Sequence, residues 1–395
     1  MAATGKILIL KLYHKILSIL LADNQILSIH AQKEVPHAIG NIYVGRVQNI
    51  SLNIGAAFVD LGEGYLTFLP LSEARYAHIT NRKSDGTIKC GDELLVQIVK
   101  EPMKTKVAGV TTKISLSGNY AVVGIQDKKT PAIQVSSKIG KAKQNHFRDI
   151  EVLQPLAQKY SLIVRTNASQ LETDDALIAE ATDLADQLHH ILDIADKRTC
   201  YSCLHHACPD FLHFIQNIYL TEYDEVITDL PEVYMVLEKE MRQMDIPLRL
   251  YQDKLLPLYK LYAVENRIQE LLGKKVWLKS GGYLIIEPTE ALISIDVNSG
   301  KCETGKNKEE TFFKINKEAA QMIAIHLRAR NLSGMILVDF INLNSKAHET
   351  ELMEYMRSLL KRDNVTSNVV DMTGLGLMEL TRKKISPCFA EQLKS

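Results

Sequence analysis

Between Asn41 and Tyr120 the chain reads as short apolar stretches, each closed by glycine or a polar turn. Ile42-Tyr43-Val44-Gly45-Arg46-Val47, Ala56-Ala57-Phe58-Val59-Asp60, Tyr65-Leu66-Thr67-Phe68-Leu69-Pro70 and Glu93-Leu94-Leu95-Val96-Gln97-Ile98-Val99 are the clearest, with Gly62, Gly64, Gly86 and Gly91 punctuating them. Strands at that spacing predict a small OB-like barrel. Ahead of them, the apolar run from Ile7 to Leu21 is broken by Lys11, His14 and Lys15. That break predicts a strand, a turn and a second strand rather than a signal peptide or a membrane span. From Leu171 to Ala195 the residues Leu177, Ala181, Leu184, Leu188, Ile191 and Leu192 recur on one side, which predicts an amphipathic helix.

Past Pro209 the pattern turns to β/α. Glu225 to Thr228 predicts a strand, Pro231 to Met241 a helix opening on proline, and Leu255 to Leu272 one further helix. Val276 to Leu278, Tyr283 to Glu287 and Ala291 to Val297 then predict consecutive strands, turned at Gly281-Gly282 and Pro288-Thr289. A long amphipathic helix from Thr311 to about Arg330 leads into a strand at Met335 to Val338. A helix from about His348 to Arg362 and a β-branched stretch at Val369-Val370 complete the pattern, with no internal repeat.

The 395 residues, 46% of them hydrophobic, suffice for roughly two to four packed units. Lys plus Arg and Asp plus Glu both number 47, so the chain is no global polycation and any nucleic-acid contact must rest on local charge. Such a local bias exists. Lys100 to Lys143 holds nine lysines against Glu101 and Asp127, whereas Glu172 to Asp196 holds eight carboxylates and no Lys or Arg. The carboxylates fit a solvated helical face rather than a catalytic one.

The six cysteines, Cys90, Cys200, Cys203, Cys208, Cys302 and Cys388, are too sparse for a disulfide framework, which implies reduced thiols and a cytoplasmic setting. Cys200-x2-Cys203-x4-Cys208, with His205, His206 and His213 nearby, has the ligand types of a zinc site. It lacks the second paired half of a finger, so a connector without zinc is expected there.

Two aspartates carry the chemistry. Leu292-Ile293-Ser294-Ile295 runs into Asp296-Val297-Asn298-Ser299-Gly300, and Met335-Ile336-Leu337-Val338 runs into Asp339-Phe340-Ile341-Asn342. A lone strand-end aspartate usually caps a helix or closes a turn. Two of them, on strands joined by one helix, come side by side at a sheet edge and repel each other unless they share a hard cation such as Mg²⁺. That pattern predicts metal-assisted phosphodiester hydrolysis. Asn298 could hold the scissile phosphate or a water, or simply satisfy the Ser299-Gly300 turn.

At these motifs the chain closely resembles the bacterial ribonuclease E/G family. Asn41-Ile42-Tyr43-Val44-Gly45, Ala56 to Asp60, Phe68-Leu69-Pro70-Leu71, Leu162-Ile163-Val164-Arg165-Thr166, Thr289 to Gly300, Ile336 to Ile341 and Gly376 to Lys383 match in order. They span about nine-tenths of the chain. The resemblance implies an α+β multi-domain fold: an RNase H-like subdomain split between residues 1–34 and 209–272, an inserted S1 (OB-fold) domain at 35–118, a 5′-sensor region at 119–208 and a DNase I-like catalytic subdomain at 273–395.

It implies an endoribonuclease that cuts single-stranded RNA to 5′-phosphate and 3′-hydroxyl ends, in processing or decay of ribosomal or messenger RNA. Asp296 and Asp339 would hold Mg²⁺, with Mn²⁺ as the substitute, and Asn298 would assist. Phe58, Phe68 and Lys106 would line the RNA channel, and Arg165 and Thr166 would take a 5′-terminal phosphate. Without the resemblance, a Phe in a small barrel is by default core, and Lys106 a solvated lysine.

Three departures from the family pattern stand out. The glycine-rich loop of the phosphate pocket is here Ala132-Ile133-Gln134-Val135-Ser136-Ser137, without glycine. Thr373-Gly374 stands where a basic residue is common. The Cys-Pro-x-Cys zinc link is reduced to Pro387-Cys388, so a zinc-joined tetramer is not expected and a homodimer is the assembly left open. The rival readings are an RNA-binding protein that kept the scaffold with little or no cleavage, and a metal-dependent DNA nuclease. The intact Asp296, Asn298 and Asp339 argue against the first, and the barrel against the second.

Overall fold

The structure, a computed structural model, describes residues 5–32, 37–102, 106–126, 133–241, 246–300 and 308–394. They divide into two compact units, one drawn from Met1–Lys33 with Thr221–Ser395 and the other from Glu34–Leu220.

The first unit opens on an antiparallel meander, β1 (Gly5–Leu12), β2 (Lys15–Ala22) and β3 (Gln25–Ala31). Its two-residue turns, Tyr13-His14 and Asp23-Asn24, all have positive φ, the geometry that matches the twist of a tight hairpin. Ile7, Leu8, Ile9 and Leu10 are fully buried, so β1 is covered on both faces. This is the strand, turn and strand expected for Ile7 to Leu21.

In the second unit β4 (Ile42–Ser51), β5 (Ala56–Asp60), β6 (Leu66–Pro70), β7 (Glu93–Lys100) and β8 (Ala108–Thr111) form a closed barrel. Their order is β4-β5-β6-β8-β7, and β7 returns to pair with β4. Val47, Ala57, Val59, Leu69, Leu94, Val96 and Val110 fill the interior. At Gly45 a Cβ would lie 2.6 Å from the Val59 side chain and 2.8 Å from that of Leu61, so the strand carries glycine where these side chains pack closely over its backbone.

A four-stranded sheet follows, built from β9 (Ser115–Ser117), β10 (Ala121–Ile125), β11 (Ile133–Val135) and β12 (Tyr160–Val164) in the order β11-β12-β10-β9. Helices α1 (Lys141–Arg148) and α2 (Gln154–Lys159) lie between its last two strands in sequence. Against the sheet packs α3 (Asp175–Ala195), burying Leu177, Ala181, Leu184, Leu188 and Ile191. Most of its carboxylates lie outside this apolar stripe, but Glu180 is half-buried. The unit closes with β13 (Cys203–His205), which pairs with β4, and α4 (Asp210–Gln216).

The first unit resumes with β14 (Tyr223–Thr228), parallel to β1, then α5 (Pro231–Met241) and β15 (Leu248–Leu250), parallel to β14. The single helix expected from Leu255 to Leu272 is two: α6 (Leu258–Leu261) and α7 (Val264–Leu272). Pro257 bars a helix from continuing out of Leu255, which is left 96% exposed. Between the two helices the Tyr262 carbonyl accepts from Arg267 Nε at 2.8 Å, and Ala263 takes a left-handed φ of 47°.

The remaining elements are β16 (Lys275–Trp277), β17 (Tyr283–Pro288), β18 (Ile293–Asn298), α8 (Lys308–Ala329), β19 (Gly334–Asp339), α9 (Lys346–Leu360), β20 (Ser367–Met372), β21 (Leu377–Arg382) and α10 (Phe389–Lys394). The sheet order is β16-β17-β18-β19-β21-β20, and only β18 and β19 are parallel, as expected of strands bridged by a helix. One sheet face buries Leu284, Ile286, Ile295, Val297, Ile336, Val338 and Met378 against Ile315, Ala319, Ile323 and Leu327 of α8 and Leu352 and Met356 of α9. On the other face Trp277, Ser294, Asp296 and Asp339 are exposed. No described helix is long and apolar enough to cross a membrane.

Candidate functional site

Along β18 the side chains alternate: Ile293, Ile295 and Val297 are buried while Ser294 and Asp296 are exposed. On β19, Ile336 and Val338 point into the core and Asp339 is exposed. The expectation of two buried strands is thus refined, since each is buried on one face only and Asp296 lies within its strand rather than past it. Register pairs Asp296 with Asp339 across the parallel ladder, at a strand spacing of ~4.8 Å, so both carboxylates stand on the open face as neighbours.

Asn298 Nδ2 donates to Asp296 Oδ2 at 2.6 Å, which fixes that carboxylate's orientation. Asp339 has no ion-pair partner among the described residues. Glycine shapes this edge at two places. A Cβ on Gly282 would meet the Asn298 carbonyl at 2.8 Å, and one on Gly300, whose φ is 58°, would meet the Gly281 carbonyl at 2.4 Å. The Gly281-Gly282 turn therefore packs directly against the segment carrying Asn298.

A further residue escapes sequence reasoning. Asn316, fully buried in α8, donates from Nδ2 to the Ile341 carbonyl at 2.7 Å and accepts from the Ile341 N–H at 3.1 Å. It anchors the main chain two residues beyond Asp339. The available signal was an amide on the apolar stripe between Phe313 and Ala320. Lys275, Trp277 and Tyr283 also went unremarked, and they share the open sheet face with the aspartates.

Two carboxylates and an amide offer only oxygen donors to a cation, and few of them. That set suits Mg²⁺, which takes one or two carboxylates and keeps several waters, better than a softer metal. Among the described residues no three His, Cys, Asp or Glu side chains converge on one point. In the cysteine connector, Cys203 Sγ lies 3.7 Å from His206 Nδ1, Cys208 faces Gln216 and Cys200 faces the Val44 carbonyl. Cys302 lies outside the described residues.

On the barrel, Phe58 and Phe68 pair directly across β5 and β6, with ring centroids 6.4 Å apart, edge to face. Their strand neighbours Ala57, Val59, Thr67 and Leu69 are fully buried, whereas Phe58 and Phe68 are partly exposed. Alternation thus turns the two rings away from the core that a small barrel would ordinarily give them. Lys106 is exposed, and Lys104, Lys128 and Lys129 of the same basic stretch lie outside the described residues.

Arg165 and Thr166 follow β12. The Arg165 guanidinium donates through Nη1 to the Gly118 carbonyl and through Nη2 to Asn217 Oδ1 at 2.7 Å. Burial lowers its pKa, against the opposing pull of Glu180 and Tyr219. Glu180 itself accepts the backbone N–H groups of Asn119, Tyr120 and Ala121 at 2.6–2.9 Å, while burial raises its pKa. Thr166 Oγ1 lies 2.9 Å from Ser136 Oγ, in the loop that lacks glycine.

Comparison with known proteins adds a lineage to this geometry. The family model described as Ribonuclease E/G family matches residues 115–385, and the one described as S1 RNA binding domain matches residues 36–113. Ribonuclease G of Escherichia coli K12 is 31% identical over 371 residues, which is 90% of this chain and 75% of that protein. Ribonuclease G of Haemophilus influenzae is 30% identical over 90% of this chain and 74% of its own length. Ribonuclease E of Escherichia coli K12 is 31% identical over 92% of this chain, a stretch that covers 34% of that longer protein.

Proposed function

The chain belongs to the ribonuclease E/G family, and from that premise we propose that it hydrolyses single-stranded RNA with Mg²⁺ held by Asp296 and Asp339. It is an endoribonuclease, and its barrel is an S1 RNA-binding domain. The observation that carries the finer reading is the pair of exposed carboxylates in register on adjacent parallel strands, one of them bonded to Asn298.

When bound, Mg²⁺ supplies Lewis-acid stabilisation of the charge that develops on the phosphoryl oxygens. The chain's own part is to present that cation and position the RNA. Asn298 has given one N–H to Asp296 Oδ2, and keeps a second N–H and its carbonyl for the scissile phosphate or the attacking water. A water oxygen bonds to phosphorus in line with the departing 3′-oxygen, which takes up a proton. The products are then a 5′-phosphate and a 3′-hydroxyl.

Phe58 and Phe68 offer π-faces to unpaired bases, and Lys106 a cation to the backbone. Thr166 and Ser136 bring two hydroxyls together for a 5′-terminal phosphate, and Arg165, held by the Gly118 carbonyl and Asn217, would supply the cation. We read the setting as cytoplasmic and the substrates as ribosomal or messenger transcripts. The test is to incubate the purified chain with an end-labelled single-stranded RNA. Cutting is expected with Mg²⁺ or Mn²⁺ and not with EDTA, leaving 3′-hydroxyl ends that a ligase accepts. Cyclic-phosphate ends, or undiminished cutting in EDTA, would contradict the reading.

A further inference from the structure

Three side chains on the open face of the catalytic sheet have no role in the chemistry above. Trp277 on β16 pairs with Tyr283 on β17, and Tyr283 pairs with Asn298 on β18. Trp277, Tyr283 and Asn298 stand in one row across the strands, so Trp277 is two strand spacings, ~10 Å, from the residue whose amide holds Asp296. The two rings meet edge to face with centroids 5.4 Å apart. Between them lies the Lys275 ammonium, 3.9 Å from the Trp277 centroid and 3.7 Å from that of Tyr283.

Trp277 remains 64% exposed in this arrangement. An ammonium over an exposed ring adds little to folding, and an indole left in water forgoes most of what its burial would give, so stability does not account for the cluster. Its chemistry does fit one ligand. Single-stranded RNA presents a flat π-face and a phosphate anion at every residue, and the cluster offers a fixed aromatic face with a cation beside it. Lys279, in the turn after β16, is also exposed, whereas Glu287 of β17 is already paired with Lys274.

We propose that Lys275, Trp277 and Tyr283 form a nucleotide-binding subsite beside the catalytic aspartates, where a base stacks on Trp277 and its phosphate pairs with Lys275. The subsite rests on the reading of the chain as an RNA-cutting enzyme and would position the strand next to the scissile phosphate. It stands on a different sheet from Phe58 and Phe68.

Trp277 is the only tryptophan in the chain, so intrinsic fluorescence reports this subsite alone. The full chain in EDTA would be titrated with a fluorescein-labelled single-stranded oligoribonucleotide, following label anisotropy for binding anywhere and tryptophan emission for binding here. The expected result is saturable quenching with the same midpoint as the anisotropy, absent when the strand is an abasic sugar-phosphate. Trp277→Ala should weaken binding about tenfold and Trp277→Phe should recover most of it. Lys275→Gln should lower the dependence of log affinity on log salt by about one.

RNA that binds by anisotropy without altering the emission, or an abasic strand that quenches equally, would overturn the proposal. So would an emission change that follows protein concentration without RNA, which would give the face to a second copy of the chain. Quenching that persists in a chain unable to cut RNA would sustain the subsite and remove only the hydrolytic reading.

Discussion

His326 shows at the scale of one residue how an ionisable group can be kept from ionising. It is 5% exposed in α8, and its Nδ1 accepts from Arg330 Nε at 3.0 Å, so its proton sits on Nε2. Burial and the guanidinium together push its pKa down to about 3, and burial lowers that of Arg330 to about 10. An unfolded histidine titrates near 6.5. Below that pH the unfolded chain binds a proton that the folded chain refuses, so the stability present above pH 6.5 is lost as pH falls toward 3, by up to ~1.4 kcal/mol per unit. The urea midpoint should therefore drop between pH 7.5 and pH 4.5, and drop less in His326→Gln. An equal drop in both proteins would exclude His326 as its source.

Among elements, the decisive arrangement is β18, α8 and β19. The helix joins two parallel strands and thereby sets their carboxylates abreast, while Asn316 ties the chain after Asp339 back to the helix. Asn316→Ala would leave the Ile341 N–H and carbonyl without those partners, at a cost of roughly 1–3 kcal/mol in stability. Cleavage should fall further than the unfolded fraction explains, because Asp339 loses its anchor. Thermal denaturation and single-turnover cutting on the same samples check this, and activity that merely follows the folded fraction would reduce Asn316 to a packing role.

Much of this element was legible in sequence, since a β-branched run ending in Asp, an amphipathic helix and a second such run leave little choice of topology. Periodicity could not see that Leu377–Arg382 is a strand, because the buried face begun by Met378 and Leu380 continues with a charged residue, Arg382. Arg382 is itself buried, bonded to Asp363 at 2.7 Å and to Asn331 at 2.8 Å. Nor could periodicity place the break at Ala263, which depends on a carbonyl captured by Arg267. The outward turn of Phe58 and Phe68 was in principle readable from alternation with Ala57, Val59 and Leu69, but it is decided by which face closes the barrel.

For the whole molecule, the proposed metal ligands lie in one compact unit and the proposed stacking rings of the barrel in the other. Binding and chemistry should therefore be separable by mutation. Phe58→Ala and Phe68→Ala should each weaken binding of single-stranded RNA by ~1–3 kcal/mol, with kcat at saturating RNA largely kept. Steady-state kinetics over a range of RNA concentrations checks the split, and a fall in kcat with KM unchanged would count against it.

The central claim is that Asp296 and Asp339 hold the cation that cuts RNA. Its most direct test is the Mg²⁺-dependent cleavage rate of Asp296→Asn, measured beside its affinity for the same uncut strand. The rate should fall by several orders of magnitude while the affinity stays within a few-fold of the parent. Cleavage at the parent's rate would contradict the claim outright.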